Sequence, residues 1–335
     1  MRAAILTKLN APLEIAEITP CDPALGQVRV RMIAAGICGS QLSEIRGEKG
    51  NAAHLPHLLG HEGCGIVIEV GLGVRKVKAG DKVVVHWRKG SGIESDFPRY
   101  IYGDRTITSG KAVTFAEEVV VSENRVTPVS ARLDPKVGAL FGCGFSTAMA
   151  TLEHEADLKA GERLLVIGAG GIGANVIKAA QIKHACGITC CDILEAKRGM
   201  VEEFGARFAC RKVERSAHGS FDVVVDTVGS GSSFSAGLEA LAPSGRMIVV
   251  GQAPADLPLR NSAALFAGEG QTIKATQGGG FQPDRDLPRW VRLYESGKLD
   301  LSAVMTHVFP LAQINDGLDV VRKGEGGRVL LTFGD

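Results

Sequence analysis

The sequence lacks an excess of charge of either sign. Its 335 residues include 38 lysines and arginines against 37 aspartates and glutamates, which leaves a net charge of +1. A chain without a basic surplus offers no electrostatic case for nucleic acid or for an anionic membrane as a partner. We therefore expect the ligand to be a small molecule.

Long apolar runs are also missing. The first stretch, MRAAILTKLNAPLEIAEITP, has no continuous apolar core of the kind found in signal peptides. No run elsewhere approaches the roughly 20 apolar residues that span a bilayer. We expect a cytoplasmic protein with no membrane-spanning segment.

Clustered cysteines are absent as well. The eight cysteines are scattered along a chain that is too large for a small disulfide scaffold, so metal binding or simple burial is the better expectation. Cys64, Cys190 and Cys191 lie within predicted strands, and we expect them to be buried core thiols.

What the sequence does have is a glycine-rich turn between a strand and a helix. ERLLVIGAGGIGANVIKAAQ contains an apolar strand, then Gly168, Gly170 and Gly173 in the pattern G-x-G-x-x-G, with Gly171 in the same turn, and then a helical pattern. In this pattern the first glycine permits a tight turn, the second lets the backbone approach a pyrophosphate, and the third lets the helix pack on the strand. The second strand, GITCCD, ends at Asp192, close to the spacing of about 20 residues expected for the acid that binds the adenosine ribose.

Asp192 favours NAD over NADP. A carboxylate accepts hydrogen bonds from the free ribose hydroxyls, whereas it repels the 2′-phosphate of NADP. Further apolar strands follow in RFACR, FDVVVDTVG, GRMIVVGQ and QTIKATQ. The sequence therefore predicts an α/β, doubly wound Rossmann domain of six parallel strands, over residues 146–277.

The flanking regions have a different pattern. From QVRVRMIAAGICGS to GDKVVVHW, short runs alternate apolar and polar residues, which is typical of antiparallel strands. Val28, Val30 and Met32 are predicted to face inward. We expect residues 1–145 and 278–335 to form a second, mainly antiparallel β domain, into which the nucleotide-binding domain is inserted.

Three potential metal ligands lie in glycine-flanked motifs. Cys38 is in GICGS, His61 is in GHEGCG, and Cys143 is in LFGCGFSTAMA. Two thiolates and one imidazole are three zinc ligands, and a zinc site with an open fourth position is typical of catalysis. Their wide spacing matches no local zinc-finger motif, so spacing alone does not prove the site.

The ordered motifs GICGS, GHEGCG, AGDKV, GCGFST, VIGAGGIG, CDILEAK and GRVLLTF resemble the zinc-dependent alcohol dehydrogenases of the medium-chain dehydrogenase/reductase family. The Cys₂His ligand set is the one known for alcohol dehydrogenase. The resemblance extends over nearly the whole chain. It implies a GroES-like catalytic domain with a Rossmann domain, one catalytic zinc, and reversible hydride transfer between an alcohol and NAD to give an aldehyde or ketone.

The resemblance also implies roles for individual residues. Cys38, His61 and Cys143 would hold the zinc. Ser40 would bind the substrate oxygen and pass its proton outward, and Glu62 would lie behind the metal. The weaker assignments are Trp87 as a wall of the substrate pocket, Thr147 beside the nicotinamide, Arg328 at the cofactor pyrophosphate and Lys197 at an adenosine ribose hydroxyl.

The sequence departs from the family pattern at three places. Gln41 stands where an aspartate usually accepts the second ring hydrogen of the zinc histidine. An amide can still accept that hydrogen bond but supplies no charge, so we expect His61 to be a slightly poorer zinc ligand. Ser43 stands where many members have a histidine of the proton relay. The stretch WRKGSGIESDFPRYIYGDRTITSGK has none of the four cysteines that hold a structural zinc in many members. We therefore predict one catalytic zinc per chain and no structural zinc.

Several alternatives stay open at this point. Cys143 favours the alcohol dehydrogenase branch over polyol enzymes, which often have glutamate there, yet the polar HWRKGSGIES suits a polyol or sugar-derived substrate equally well. A zinc-free reductase of activated double bonds or quinones is a second interpretation. An NAD-binding protein without turnover is a third. Family members commonly associate through edge strands of the Rossmann sheet, so we expect a homo-oligomer, either dimer or tetramer.

Overall fold

The computed structural model describes residues 1–211, 218–253 and 268–334. Residues 212–217 and 254–267 of the predicted nucleotide-binding domain lie outside this description. The chain divides into two compact units, the first formed by Met1–Gly144, Gln282–Gly297 and Met305–Asp335, and the second by Phe145–Phe281 and Lys298–Val304. In the part of the chain that is described, no helix has both the length and the apolar character needed to cross a bilayer.

The strands run in chain order. They are β1 (Arg2–Leu6), β2 (Glu14–Glu17), β3 (Thr19–Pro20), β4 (Gln27–Ile37), β5 (His57–Leu58), β6 (Glu62–Val70), β7 (Lys82–His86), β8 (Arg99–Tyr102), β9 (Arg105–Ser109), β10 (Glu118–Ser122), β11 (Val126–Pro128), β12 (Arg163–Ile167), β13 (Gly187–Asp192), β14 (Arg207–Cys210), β15 (Phe221–Asp226), β16 (Leu241–Val249), β17 (Thr272–Ala275), β18 (Met305–Pro310) and β19 (Arg328–Thr332).

The α-helices are α1 (Gly39–Ile45), α2 (Pro135–Phe141), α3 (Gly144–Ala150), α4 (Gly171–Ile182), α5 (Arg198–Glu203), α6 (Gly231–Ala240), α7 (Pro283–Glu295) and α8 (Ile314–Lys323). Single 3₁₀ turns occupy Asn51–His54, Glu123–Arg125, Glu195–Lys197, Gly278–Gly280, Ser302–Val304 and Leu311–Gln313. A π-helical turn, Thr151–Glu155, continues α3.

The first unit contains two mainly antiparallel sheets. One has the strand order β2-β1-β5-β9-β8-β3, and the other has the order β11-β7-β6-β4-β19-β18, with β10 also paired to β4. Along β4 the predicted alternation is confirmed, because Val28, Val30 and Met32 are buried whereas Arg31 is exposed. These apolar side chains form a core with valines of β6, β7 and β10.

Helix α2 packs on β4 and β6 and so fixes the chain just before Cys143. The Asp134 side chain caps this helix by accepting the Lys136 backbone N–H at 2.8 Å, and Pro135 occupies the first helical position. Both features favour a helix that starts at this point. Its apolar side chains, including Leu140, are buried, so its register on the sheet is fixed.

The second unit contains one sheet of six parallel strands in the order β14-β13-β12-β15-β16-β17. This is the doubly wound Rossmann order, and it confirms the predicted six-stranded sheet. Consecutive residues of β12, from Leu164 to Val166, are all fully buried, as expected for a parallel strand covered on both faces.

The boundary of the second unit differs from the predicted one. Residues 278–281 and Lys298–Val304 belong to this unit, although the sequence pattern placed both segments with the other domain. The second segment is the more distant in sequence. The physical reason is burial, because Leu301 and Val304 have no exposed surface and the turn Ser302–Val304 contacts α4. Two apolar residues in a short loop carry no periodicity that would assign them to one domain or the other.

Candidate active site

The three predicted zinc ligands converge in the first unit. Cys38 follows β4, His61 precedes β6, and Cys143 lies between α2 and α3. Their ligand atoms all lie within 4.8 Å of one another. Among the described residues, no other group of three or more potential metal ligands comes together in this way. Three separate chain segments therefore bring two sulfurs and one imidazole to a single point, which is the donor set that zinc prefers.

The cluster stabilises a thiolate. The pKa of the Cys38 thiol is held well below its usual value, first by a hydrogen bond with Cys143 and then by His61 and the charge of Arg328, although burial acts in the opposite direction. A thiolate is the form that binds a metal. The site is thus prepared for a cation before any cation arrives.

A buried ion pair lies directly behind the cluster. The carboxylate of Glu62 pairs with the guanidinium of Arg328 and also accepts the Gly144 backbone N–H at 3.0 Å. Glu62 has no exposed surface and Arg328 is 2% exposed. A Cβ atom at Gly36 would lie 2.5 Å from Glu62 Oε1, so the backbone there must be free of a side chain to admit the carboxylate.

The charges of these groups fit a divalent cation. Arg328 pairs with Glu62 and also acts on the Cys38 thiolate, while Cys143 offers a second sulfur beside them. Buried charges are costly unless they are paired. Zinc binding would displace the proton of the Cys143 thiol and pair both sulfurs with the cation, so the residues present fit the metal.

The placement of Arg328 was not foreseen. The family resemblance implied that Arg328 binds the cofactor pyrophosphate, and that role stays a prediction. In the structure its guanidinium contacts Glu62 and Cys38. Glu62 and Arg328 are 266 positions apart. No pattern in either segment indicates the other as its partner.

Gln41 and Ser40 flank the cluster on the first turn of α1. The Gln41 side chain is fully buried, its Oε1 accepts the Cys38 backbone N–H at 3.0 Å, and its Nε2 lies 2.6 Å from His61 Nδ1. The Ser40 hydroxyl is half-buried and accepts a long hydrogen bond of 3.4 Å from Gln41 Nε2. Ser40 is therefore two residues from a metal ligand and keeps contact with the surface.

The loop that carries Trp87 is anchored by Arg125, whose side chain is 13% exposed, and by the fully buried His86. Arg125 donates to the Trp87 carbonyl and forms an ion pair with Glu94 at 3.0 Å. His86 bridges the Arg88 carbonyl and the hydroxyl of Thr127. Trp87 is half-buried, with the Arg88 guanidinium 5.8 Å from its ring centroid.

The other cysteines of the described chain stand apart from the cluster. Cys64, Cys190 and Cys191 are buried, which confirms their predicted place in the core. Burial raises the pKa of Cys64 to about 12. A thiol that resists ionisation in this way is a packing group rather than a metal ligand.

In the second unit, the glycine motif forms the turn between β12 and α4. Gly168 has a φ of +94°, and a Cβ atom at Gly173 would lie 1.8 Å from the carbonyl oxygen of Gly168. The two positions therefore require glycine for the turn itself. Asp192, at the end of β13, ties this turn down by accepting the Ala169 and Leu194 backbone N–H groups at 2.7 and 2.9 Å.

Gly170 differs from its neighbours in the motif. Its φ is −76°, and a Cβ atom there would meet no protein atom within 4 Å. Gly171, which follows it, is the first residue of α4. The protein itself thus has no steric need for glycine at 170, whereas a dinucleotide phosphate that approaches the start of α4 would need the open space.

Two further predicted residues are buried in the second unit. Thr147 lies in α3 with 4% of its surface exposed, and Lys197 lies in the turn after β13 with 3% exposed. Lys197 is close enough to Cys190 for its charge to act on that thiol. Their roles at the nicotinamide and at the ribose stay predictions.

Two sequence-family models match the chain. Residues 24–131 match the alcohol dehydrogenase GroES-like domain, and residues 171–296 match the zinc-binding dehydrogenase domain. Together the two matches span well over half of the chain.

Solved structures with the same fold include several dehydrogenases. A zinc-binding-domain alcohol dehydrogenase protein from Burkholderia ambifaria has a TM-score of 0.90 at 23% identity, with 100% of this chain and 99% of that chain covered. Benzyl alcohol dehydrogenase from Acinetobacter calcoaceticus has a TM-score of 0.88 at 22% identity, with 99% of each chain covered. For 2R,3R-butanediol dehydrogenase from Bacillus subtilis the TM-score is 0.80 at 22% identity, again with 99% of each chain covered.

At these identities the likeness establishes the fold. With the two domain matches and the Cys-His-Cys cluster, it follows that the chain belongs to the zinc-dependent alcohol dehydrogenases of the medium-chain dehydrogenase/reductase family, which are NAD-linked oxidoreductases.

Proposed function

We propose that this chain interconverts small alcohols and their aldehydes or ketones with NAD at one zinc ion held by Cys38, His61 and Cys143. The observation that carries the proposal is the convergence of these three ligand atoms within 4.8 Å. Bound zinc would supply Lewis-acid polarisation of the substrate oxygen, and bound NAD would supply the hydride acceptor. The chain's own residues would bind, orient and deprotonate the substrate.

Ser40 would move the proton. Ser40 is half-buried and lies two residues from Cys38, so its Oγ would accept the alcohol proton while its own hydrogen passes outward. The anchored loop of Trp87 would hold one wall of the substrate pocket, because Arg125 and His86 fix its backbone. A fixed wall keeps the carbinol carbon in one orientation.

Asp192 would select NAD. Each of its carboxylate oxygens already accepts one backbone N–H, and each keeps a second lone pair for a ribose hydroxyl. A 2′-phosphate would meet this negative charge instead. We expect activity with NAD to exceed activity with NADP, and Asp192→Asn to narrow the difference.

Two classes of substrate need to be compared, which are apolar alcohols and alcohols that carry further hydroxyl groups. Two enzymes with this fold are named for benzyl alcohol and for butanediol. The test is the rate of NADH formation, measured by absorbance, with benzyl alcohol, butane-2,3-diol, simple alcohols and sugar alcohols. These rates separate the two classes. Preference for the sugar alcohols would favour the polar-pocket interpretation, and preference for benzyl alcohol would favour an apolar one.

The test of the metal site uses cysteine variants with matched controls. Cys38→Ser and Cys143→Ser should lose bound zinc and turnover. Cys186→Ser, at an exposed thiol, and Cys64→Ala, at a buried one, should keep both. Turnover that survives in the first pair, or that ignores a zinc chelator, would overturn the proposal.

We further propose that the chain forms a homo-oligomer, a dimer or tetramer. Supporting this, β17 lies at the edge of the second unit's sheet among the described strands, and all four of its residues are exposed. An exposed edge strand is a template for pairing with another chain.

We also propose a cytoplasmic location, since all eight cysteines are free thiols, and cell fractionation tests it.

A further inference from the structure

Gln41 lies where a zinc-binding histidine needs a hydrogen-bond acceptor, but it presents a donor. The Gln41 Nε2 is 2.6 Å from His61 Nδ1, whereas the Gln41 Oε1 accepts the backbone N–H of Cys38. The side chain has no exposed surface, so water is not an alternative partner for either end of the amide. Which end faces the histidine therefore matters.

Two neighbours hold the amide in this orientation. The Cys38 N–H is a donor and requires the amide oxygen. Glu44, on the next turn of α1, accepts a hydrogen bond from the Gln41 amide nitrogen. Burial raises the pKa of Glu44, and this hydrogen bond has a smaller effect in the opposite direction. Turning the amide over would set donor against donor at Cys38 and acceptor against acceptor at Glu44.

This orientation conflicts with metal binding by His61. A histidine that binds a metal through one ring nitrogen normally donates the hydrogen on its other nitrogen to a carboxylate, a carbonyl or water. Here the Nδ1 of His61 faces an N–H group, so Nδ1 must act as the acceptor. The ring hydrogen is then on Nε2, which is the nitrogen left to bind the metal.

We propose that Gln41 is a positioning residue that weakens zinc binding at this site, because the amide must turn over before His61 can donate from Nδ1 and bind zinc through Nε2. The turn gives up the hydrogen bonds to Cys38 and Glu44. The site then releases its zinc more readily than one with a carboxylate behind the histidine. This inference rests on the proposed function, since it takes the three zinc ligands as given.

The decisive variant exchanges the two side chains and keeps the net charge. In Gln41→Glu/Glu44→Gln the carboxylate at 41 accepts from both the Cys38 N–H and the His61 ring, while the amide at 44 donates to it. We expect the zinc dissociation constant to fall by about 10–100-fold, measured by competition with a chromogenic chelator on metal-free protein. Ser43→Asp, which changes the charge of α1 without touching His61, should leave it within about threefold of wild type. Glu44→Gln alone removes one of the two restraints on the amide, so it should lower the dissociation constant by less than the exchanged variant does.

A second measurement does not depend on metal. Nitrogen-15 NMR of the histidine rings in metal-free protein, with the His61 signals identified by their loss in His61→Asn, should place the ring hydrogen on Nε2 in wild type and on Nδ1 in the exchanged variant. Equal zinc affinity of the two proteins, or a hydrogen on Nδ1 in wild type, would overturn the inference. If Cys38→Ser and Cys143→Ser bind zinc as tightly as wild type, the proposed function fails instead.

Discussion

Among single residues, His86 shows how strongly burial constrains a polar side chain. It is fully buried, its Nδ1 donates to the Arg88 carbonyl at 2.6 Å, and its Nε2 accepts from the Thr127 hydroxyl at 2.9 Å. A neutral ring satisfies both contacts, whereas a charged ring has no acceptor to offer Thr127. Burial lowers the pKa of His86 to about 3.

The free energy of unfolding should therefore decrease as the pH is lowered below about 6.5. The unfolded chain binds a proton at His86 that the folded protein rejects, so acid favours unfolding until the pH approaches the folded pKa. By pH 5 this group alone removes about 2 kcal/mol. In urea unfolding at pH 7 and pH 5, His86→Gln, although less stable at pH 7, should lose about 2 kcal/mol less than wild type. Parallel losses in the two proteins would contradict the burial of a neutral ring.

At the same scale, the sequence predicted the three potential metal ligands better than it predicted the side-chain contacts around them. Cys38, His61 and Cys143 each stand in a glycine-flanked motif, which is a local signal. The pairing of Glu62 with Arg328 has no local signal, because it joins segments 266 positions apart. For Gln41 the residue type was visible in the sequence, but the end that faces His61 depends on hydrogen bonds that only the fold creates.

At the scale of elements, the junction of β12 and α4 separates two demands on glycine. Gly173 is needed for packing, since its Cβ would lie 1.8 Å from the Gly168 carbonyl oxygen. Gly170 has open space beside it and an ordinary backbone conformation. One turn thus contains one glycine that the packing of the protein requires and another that it does not require.

Alanine substitutions at these two positions should have opposite effects. Gly173→Ala should lower the free energy of unfolding by about 1–3 kcal/mol, because backbone must shift to admit the methyl group. Gly170→Ala should cost less than about 1 kcal/mol, the difference between glycine and alanine as an N-cap, yet weaken NADH binding by roughly tenfold or more. Urea unfolding and NADH fluorescence titration measure the two effects. Unchanged NADH affinity in Gly170→Ala would argue against phosphate contact there.

Elements with a regular apolar period were predictable, and irregular ones were not. The six strands of the second unit follow runs such as FDVVVDTVG closely, since burial on both faces requires a continuous apolar segment. The loop Lys298–Val304 joins that unit through Leu301 and Val304, whose spacing has no strand or helix period.

At the scale of the whole molecule, the pair of Glu62 and Arg328 links distant parts of the first unit. It connects β6 to β19, the last strand of the chain. Arg328→Met should lower the free energy of unfolding by about 3–5 kcal/mol, because it leaves the Glu62 carboxylate buried without a partner. Glu62→Gln/Arg328→Met should recover much of this loss. Urea unfolding of the single and double variants provides the cycle, and additive losses would show that the two charges act independently.

Assembly can be tested through the exposed edge of the Rossmann sheet. Ile273 lies in the edge strand β17 with 37% of its surface exposed. Ile273→Lys adds a charge to this edge, and charged edge strands resist pairing. Light scattering should report a lower mass for Ile273→Lys than for wild type, while circular dichroism stays unchanged. An identical mass would place the contact between subunits on another surface.

The position of Arg328 late in the chain also bears on the order of events during synthesis. All three metal ligands and Glu62 emerge from the ribosome within the first 143 residues, but the cation that balances Glu62 follows only after the whole nucleotide-binding unit has been made. Until then the nascent first unit holds the Glu62 carboxylate without its cation and lacks β18 and β19, two strands of the sheet that contains β4 and β6. The unit translated first is therefore the one completed last, and the nucleotide-binding unit has time to fold before the active site closes.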